Sequence, residues 1–269
     1  MLWQADPVLE CVVNISEGRE GAVIRRIVEA GGADVLDVHT DPDHHRSVLT
    51  LVGEAAPRAV TRAAVAEIDL RTHQGVHPRI GAVDVVPFVP LGDAELGDAV
   101  AARDRFCAWA AEKLALPCFR YGPERSLPEV RRRAFRDLAP DTGPGEPHPS
   151  AGAVAVGARP LLVAYNVWLA EPDLALAREV AAAIRGPHLR ALGLAVGERV
   201  QVSMNLVAPS ELGPDLATDL VAGRAAVAGC ELVGLVPRAV LDAVDPVRWA
   251  ELDLGADRTI EARLARRAG

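Results

Sequence analysis

Lysine is almost absent from this chain: Lys113 stands alone among 29 basic residues, so arginine fills surface positions that the two residues usually share. No single arginine therefore carries weight by its presence alone. Paired cysteines are lacking too. Cys11, Cys107, Cys118 and Cys230 are scattered, with no C-x-x-C and no short disulfide-like spacing, which excludes a disulfide framework and suits a reducing compartment. The apolar run 161–170 falls far short of the roughly 18 residues that span a bilayer. The first residues, M-L-W-Q-A-D-P, show no basic stretch followed by an apolar one, so the protein is expected in the cytoplasm and away from membranes. Basic runs are missing as well. With a net charge of −8, the chain lacks the electrostatic footprint of a duplex binder, and nucleic acid is not expected as a partner. Nor is there a G-x-S-x-G elbow, a P-loop or a G-x-G-x-x-G after a strand, which removes the usual signatures of α/β-hydrolases, NTPases and Rossmann enzymes.

What remains is a soluble globular composition, 50% hydrophobic and 25% charged, over 269 residues. That length accommodates two packed units of roughly 100–150 residues or one large one. Residues 9–15 are apolar and β-branched and predict a buried strand; Ser16 and Gly18 then open an amphipathic helix over 22–30. Strands are expected at 34–38 and 47–52, separated by a polar loop over 39–46 with the turn signal Asp41-Pro42. A helix over 59–70 and a strand over 82–89 follow. The same β-α-β-β-α-β order recurs as strand 161–169, helix 173–185, strands 189–196 and 200–207, helix 214–229 and strand 231–236. Both halves read as split β-α-β units, alike in pattern and only slightly in sequence. Between them lie a long helix over 94–114, a short strand over 117–121 and an arginine-rich stretch over 125–136. Residues 139–152, A-P-D-T-G-P-G-E-P-H-P-S-A-G, are too rich in proline and glycine for regular structure and read either as an interdomain linker or as a functional loop.

Five of the seven histidines fall in two polar loops, H-T-D-P-D-H-H-R-S over 39–47 and H-Q-G-V-H-P-R-I-G over 73–81. Imidazoles titrate near neutral pH, and with Asp41 and Asp43 beside them His39, His44, His45, His73 and His77 suit either proton transfer or a metal-dependent hydrolase. Gly75 and Pro78 argue against the helix face that would present His73 and His77 together to zinc. Pro78 also restricts His77 to extended backbone just ahead of a buried strand, which pre-aims its ring as a base requires. Cys11 lies within an apolar strand and is expected in the core.

Six runs then stand out together: E-C-V-V-N-I-S-E-G (10–18), D-P-D-H-H-R-S-V (41–48), G-V-H-P-R-I-G-A-V-D-V-V-P-F-V-P (75–90), H-P-S-A-G-A-V-A-V-G-A-R-P (148–160), Q-V-S-M-N-L (201–206) and E-L-V-G-L-V-P (231–237). In this order, over nearly the whole chain, they resemble the formiminotransferase domain, a family of folate-dependent enzymes. The resemblance implies an α+β fold, an α/β sandwich of two ferredoxin-like βαββαβ subdomains whose sheets border a folate-binding cleft. Their expected extents are 1–158 and 159–269, and a homodimer is expected. It implies formimidoyl transfer from N-formimidoyl-L-glutamate to N5 of tetrahydrofolate, which acts as co-substrate with no metal.

In that family the histidine of G-E-H-P-R, here His77, is the general base and acid. The folate-contacting loop falls on Pro140, Asp141, Gly143, Pro144, His148, Pro149, Gly152 and Ala153. Both substrates carry carboxylates, so Arg46 and Arg79 are expected either to clamp them or to form surface ion pairs. Formyl transfer from N-formylglutamate, formimidoyl transfer with another amine, and a non-catalytic folate-binding module are the alternatives within the resemblance; whether a separate cyclodeaminase acts with it stays open. Members commonly read D-V-D near residue 37 and D-H-N-R-S near residue 43. This chain has Asp37-Val38-His39 and Asp43-His44-His45-Arg46, so a carboxylate available to orient the imidazole of His77 is displaced by His39.

Overall fold

The structure, a computed structural model, describes residues 8–74 and 79–268. It divides into two compact units, residues 1–160 and 161–269. His77 lies outside the described residues.

The first unit begins with β1 (Leu9–Ile15), whose alternate residues Leu9, Cys11, Val13 and Ile15 face the helices, and Cys11 is packed in the core as expected. Helix α1 (Gly21–Gly31) buries Ile24 and Ile27. A hairpin of β2 (Val35–Asp41) and β3 (Arg46–Val52) follows, then α2 (Ala55–Glu67), which buries Ala56, Val60 and Ala64 at helical spacing, and β4 (Val83–Pro90). The strands lie in the order β2-β3-β1-β4 with antiparallel neighbours, the ferredoxin-like arrangement.

Helix α3 (Leu96–Leu114), β5 (Cys118–Tyr121), α4 (Leu127–Arg133) and β6 (Val154–Ala158) extend the sheet to β2-β3-β1-β4-β6-β5, with β6 parallel to both β4 and β5. Phe106 of α3 meets Phe88 edge-on, with ring centroids 5.9 Å apart. On the other face Val130 of α4 covers Phe119 and Ala155. Arg103 of α3 is 1% exposed; Glu124 answers its charge through two bonds of 2.6 and 2.7 Å, fixing the connection after β5.

The second unit repeats the topology: β7 (Val163–Leu169), α5 (Leu174–Ile184), β8 (Leu189–Val196), β9 (Arg199–Leu206), α6 (Pro214–Ala222) and β10 (Val227–Val233) form a sheet ordered β10-β7-β9-β8. Val163, Tyr165 and Val167 pack with Val200, Val202 and Met204 beneath the two helices. Two short helices, α7 (Arg238–Asp242) and α8 (Ile260–Ala268), end the chain. Among the described residues no helix is long and apolar enough to cross a membrane.

Three expectations are corrected. The helix read over 214–229 stops at Ala222, and β10 occupies 227–233 instead of 231–236. Alanine-rich sequence favours helix, but β7 needs an antiparallel partner, and Gly223 ends α6 in time for Glu231 to pair with Asn166. The loop read over 39–46 shrinks to a turn, because Thr40 pairs with Ser47 and Asp41 with Arg46, placing His39 in β2. Strand β6 was not anticipated, although V-A-V-G-A is apolar and strand-like.

Gly193 of β8 lets the backbone of α5 lie directly on the sheet: a Cβ there would sit 2.4 Å from the backbone nitrogen of Arg178. Gly193→Ala should lower stability by about 1–3 kcal/mol, seen as an earlier urea transition by far-UV circular dichroism. An unchanged midpoint would show that this contact relaxes without cost.

Candidate functional site

Strand register gathers four connections of the first unit at one end of its sheet. The end of β1 pairs with the start of β3 (Ile15 with Ser47) and the start of β4 (Ile15 with Val83), while β4, β6 and β5 run parallel from that same end. Residues 16–20, 42–45, 134–153 and the described parts of the third connection, 68–74 and 79–82, therefore meet there.

The first two are locked together. A Cβ on Gly18 would lie 2.3 Å from the carbonyl oxygen of Asp41 and 2.5 Å from the nitrogen of Arg46, so glycine alone permits the approach. The hydroxyl of Ser47 donates to the Glu17 carbonyl at 2.6 Å. Glu17, 7% exposed, accepts the amides of Arg19 (2.7 Å) and Glu20 (3.0 Å) on one carboxylate oxygen. In the turn, Asp41 Oδ1 accepts the amides of Asp43 and His44, both at 2.9 Å, and its other oxygen meets Nδ1 of the buried His44 ring. Burial works against the Asp41 charge, but the bonds from the His44 ring and the two amides prevail and hold its carboxyl at about 2.

His45 adopts the left-handed region, with φ +52°. Its Nδ1 accepts the Gly18 amide at 3.1 Å, and its ring stacks on that of His73 from the third connection, with centroids 3.9 Å apart and planes at 29°. Arg79 touches the His73 ring. Arg19 straps the same two connections, donating through Nε to the Pro42 carbonyl (2.9 Å) and through Nη1 to that of Gln74 (3.4 Å). Burial lowers the Arg79 guanidinium below the ordinary arginine range, with Asp84 opposing and Arg19 adding to the shift. Asp84, 1% exposed, accepts the Ile80 amide at 2.8 Å and pairs with Arg131 at 2.5 Å, which fixes the chain just past the segment containing His77.

The fourth connection divides in two. Asp141 gives its carboxylate to Arg125 (2.6 and 3.1 Å) and to the Arg120 amide (2.8 Å), while Gly143, at φ +88°, lies against the Leu116 carbonyl. Its second half joins the third connection: Gly152 bridges Gly81, the Ala82 amide donates to the Ala151 carbonyl, and the Leu70 amide donates to the Ser150 carbonyl. His148 Nδ1 accepts the Ala151 amide at 3.1 Å, which leaves Nε2 as the ring nitrogen that carries a proton. Pro144 and Pro149 are exposed, Pro140 is half-buried and Ala153 is fully buried.

The structure thus brings His45, His73, Arg79, His148, Gly152 and Ala153 to one end of the sheet, and seats Asp141 and Gly143 beside β5. Arg46 opens β3 opposite Asp41, and His39 pairs with Val48 farther along the hairpin. Glu17 and Arg19 were missed by the sequence reading; their signal was S-E-G-R directly after a buried strand. Among the described residues, no three His, Cys, Asp or Glu side chains are placed to hold a metal ion.

Residues 8–159 match the model of the formiminotransferase domain, N-terminal subdomain. The chain is similar to a protein named glutamate formimidoyltransferase from Streptococcus pyogenes serotype M1, 34% identical over 275 residues, covering 88% of this chain and 92% of that one. A protein of the same name from Thermoplasma acidophilum is 35% identical over 272 residues, covering 87% and 89%. The formimidoyltransferase-cyclodeaminase of Dictyostelium discoideum is 33% identical over 302 residues, and there 96% of this chain spans 56% of the longer protein.

Because the folded state holds the Asp41 carboxyl at about 2, below its ordinary 3.8, the ion contributes stability in full above pH 3.8 and loses it as pH falls through about 2. Asp41→Asn should therefore cost about 2 kcal/mol at pH 7, with the gap from the wild-type protein closing toward pH 2. Parallel urea titrations at several pH values test this; a gap independent of pH would remove the ionic account.

Proposed function

Since this chain belongs to the formiminotransferase domain family, we propose that it transfers a formimidoyl group from N-formimidoyl-L-glutamate to N5 of tetrahydrofolate. The observation that carries this is the 34% identity running over 92% of a protein named for that activity. In the reaction N5 attacks the amidine carbon, forming a C–N bond while its proton passes to His77. The tetrahedral intermediate then collapses by breaking the bond to the glutamate nitrogen, which takes the proton back from His77 as it leaves. The products are 5-formimidoyl-tetrahydrofolate and glutamate.

An amidine is protonated and electrophilic at pH 7, so the chemistry asks mainly for two bound substrates held together, where effective molarities reach about 10⁵–10⁸ M. Support for His77 in this role comes from its flanks. Pro78 limits its backbone, Arg19 holds the Gln74 carbonyl on one side, and Asp84 holds the Ile80 amide on the other. The loop 139–152 serves as the folate-contacting segment, with His148 offering its Nε2 proton to an acceptor on the ligand. Within that loop Asp141 acts through Arg125, shaping the backbone that Pro140, Gly143, Pro144, Pro149, Gly152 and Ala153 present. Arg46 and Arg79 serve the substrate carboxylates.

Purified protein should convert formimidoyl-glutamate and tetrahydrofolate to 5-formimidoyl-tetrahydrofolate, followed by absorbance after acid conversion. Turnover with N-formylglutamate alone would reassign the donor. His77→Ala should lose about 10²–10⁴-fold in kcat while folate affinity holds, and an unchanged kcat would remove the base. Arg125→Ala should raise KM for tetrahydrofolate about tenfold with kcat kept within about threefold. An equal fall in kcat with KM unmoved would show that the Arg125–Asp141 pair does not serve folate binding.

A further inference from the structure

We propose that His45 is a positioning residue for the loop end at His73, acting through the His73 ring, and that it does so only as a neutral imidazole. The proposal rests on the transfer reading, with His77 as base.

The backbone at position 45 does not ask for histidine. It lies at φ +52°, a conformation that asparagine adopts with less strain, and asparagine is what the resembling D-H-N-R-S run carries. The ring, then, has to account for the residue. Its Nδ1 accepts the Gly18 amide at 3.1 Å. A backbone amide can only donate, so a proton on Nδ1 would set two N–H groups against each other and break that bond. In the neutral ring the proton sits on Nε2, the Gly18 bond forms, and the imidazole lies flat against His73.

The surroundings favour the neutral form. Burial lowers the His45 pKa; Glu17 opposes this from 3.4 Å, while Arg19 and Arg79 add to it. The groups facing the pair are therefore Glu17 and Arg19 after β1, His73 and Arg79 before β4, and Asp41 with His44 in its own turn. Among the described residues Glu17 is the carboxylate placed to take a charged ring, but it already binds two amides. Protonation would exchange the Gly18 bond for a contact with Glu17 and turn the ring out of the stack.

His73 transmits the consequence. Its amide donates to the Leu70 carbonyl, and the Leu70 amide donates to Ser150, so His73 stands between the turn that holds His45 and the loop that includes His148. Losing the stack removes lateral support from His73 and from Arg79, which touches its ring. A misplacement on the order of 1 Å costs up to about 10²-fold in rate, so modest slack at these two residues is enough to be seen.

The test is the acid limb of kcat/KM. In the wild-type protein two protonations, of His77 and of His45, should make log activity fall with a slope approaching two. His45→Asn keeps the left-handed turn and an acceptor for Gly18 but cannot titrate or stack. It should lower kcat about three- to tenfold at pH 8, leave both KM values within about threefold, and reduce the limiting slope to one. His45→Ala should lose more, because it gives up the acceptor as well. His73→Phe, which keeps a ring to stack on, should retain kcat within about threefold of wild type. Should His45→Asn keep both the wild-type kcat and a slope of two while His77→Ala is inactive, the role of His45 is overturned and the transfer reading stands. Absence of transfer by the wild-type protein overturns both.

Discussion

Two glycines meeting backbone to backbone, Gly81 and Gly152, hold the working end of the first unit in shape. A Cβ on Gly81 would lie 1.8 Å from the Ala153 carbonyl oxygen, and one on Gly152 would lie 2.4 Å from that of Ile80, at a residue already in the left-handed region. No other side chain fits at either place. Their bridge carries the start of β6 into register with β4, and with it the Ser150 carbonyl that receives Leu70. The loop that follows α2 is thus pinned by the residues leading into β6, 71 to 80 positions later in the chain. The four connections gather at one sheet end because the strand pairing leaves them no other place.

Acidic residues then decide how those connections are shaped. Glu17, Asp41, Asp84 and Asp141 each accept at least one loop amide, and Asp84 and Asp141 add an arginine. Bonds of this kind to an ionised acceptor are roughly twice as strong as neutral ones, which gives short loops a fixed form without a large core. They also resolve a conflict in the charge balance. A chain with net charge −8 is a poor host for anionic substrates, yet Asp84 and Asp141 are paired with arginines, and Glu17 and Asp41 are occupied by loop amides.

Much of this was legible in residue order. Strand β1 and strand β8 fall where alternation and β-branching put them, and the two split β-α-β patterns became two ferredoxin-like sheets. The boundary between α6 and β10 was not legible, because A-A-V-A-G satisfies helix propensity and strand pairing equally until β7 requires a partner. The site was legible in its histidines, which cluster in sequence, and illegible in its supports. Arg19 reaches the Gln74 carbonyl across 55 positions and Arg131 reaches Asp84 across 47, and no local pattern encodes such pairs. Asp141 shows the same limit from the other side: the family motif marks it as part of the folate loop, while the geometry directs its carboxylate inward to Arg125.

The displacement of a carboxylate by His39 acquires meaning in this setting. Asp37, His39 and Asp41 alternate along β2 and share one of its faces, each one strand repeat, about 7 Å, from the next. Asp41 is already committed to the turn and to His44. What the described flanks of this loop show is mechanical support: the Arg19 strap on the Gln74 carbonyl, the Asp84 anchor on the Ile80 amide and the His45–His73 stack. Packing aims a ring without raising its proton affinity, whereas a carboxylate does both.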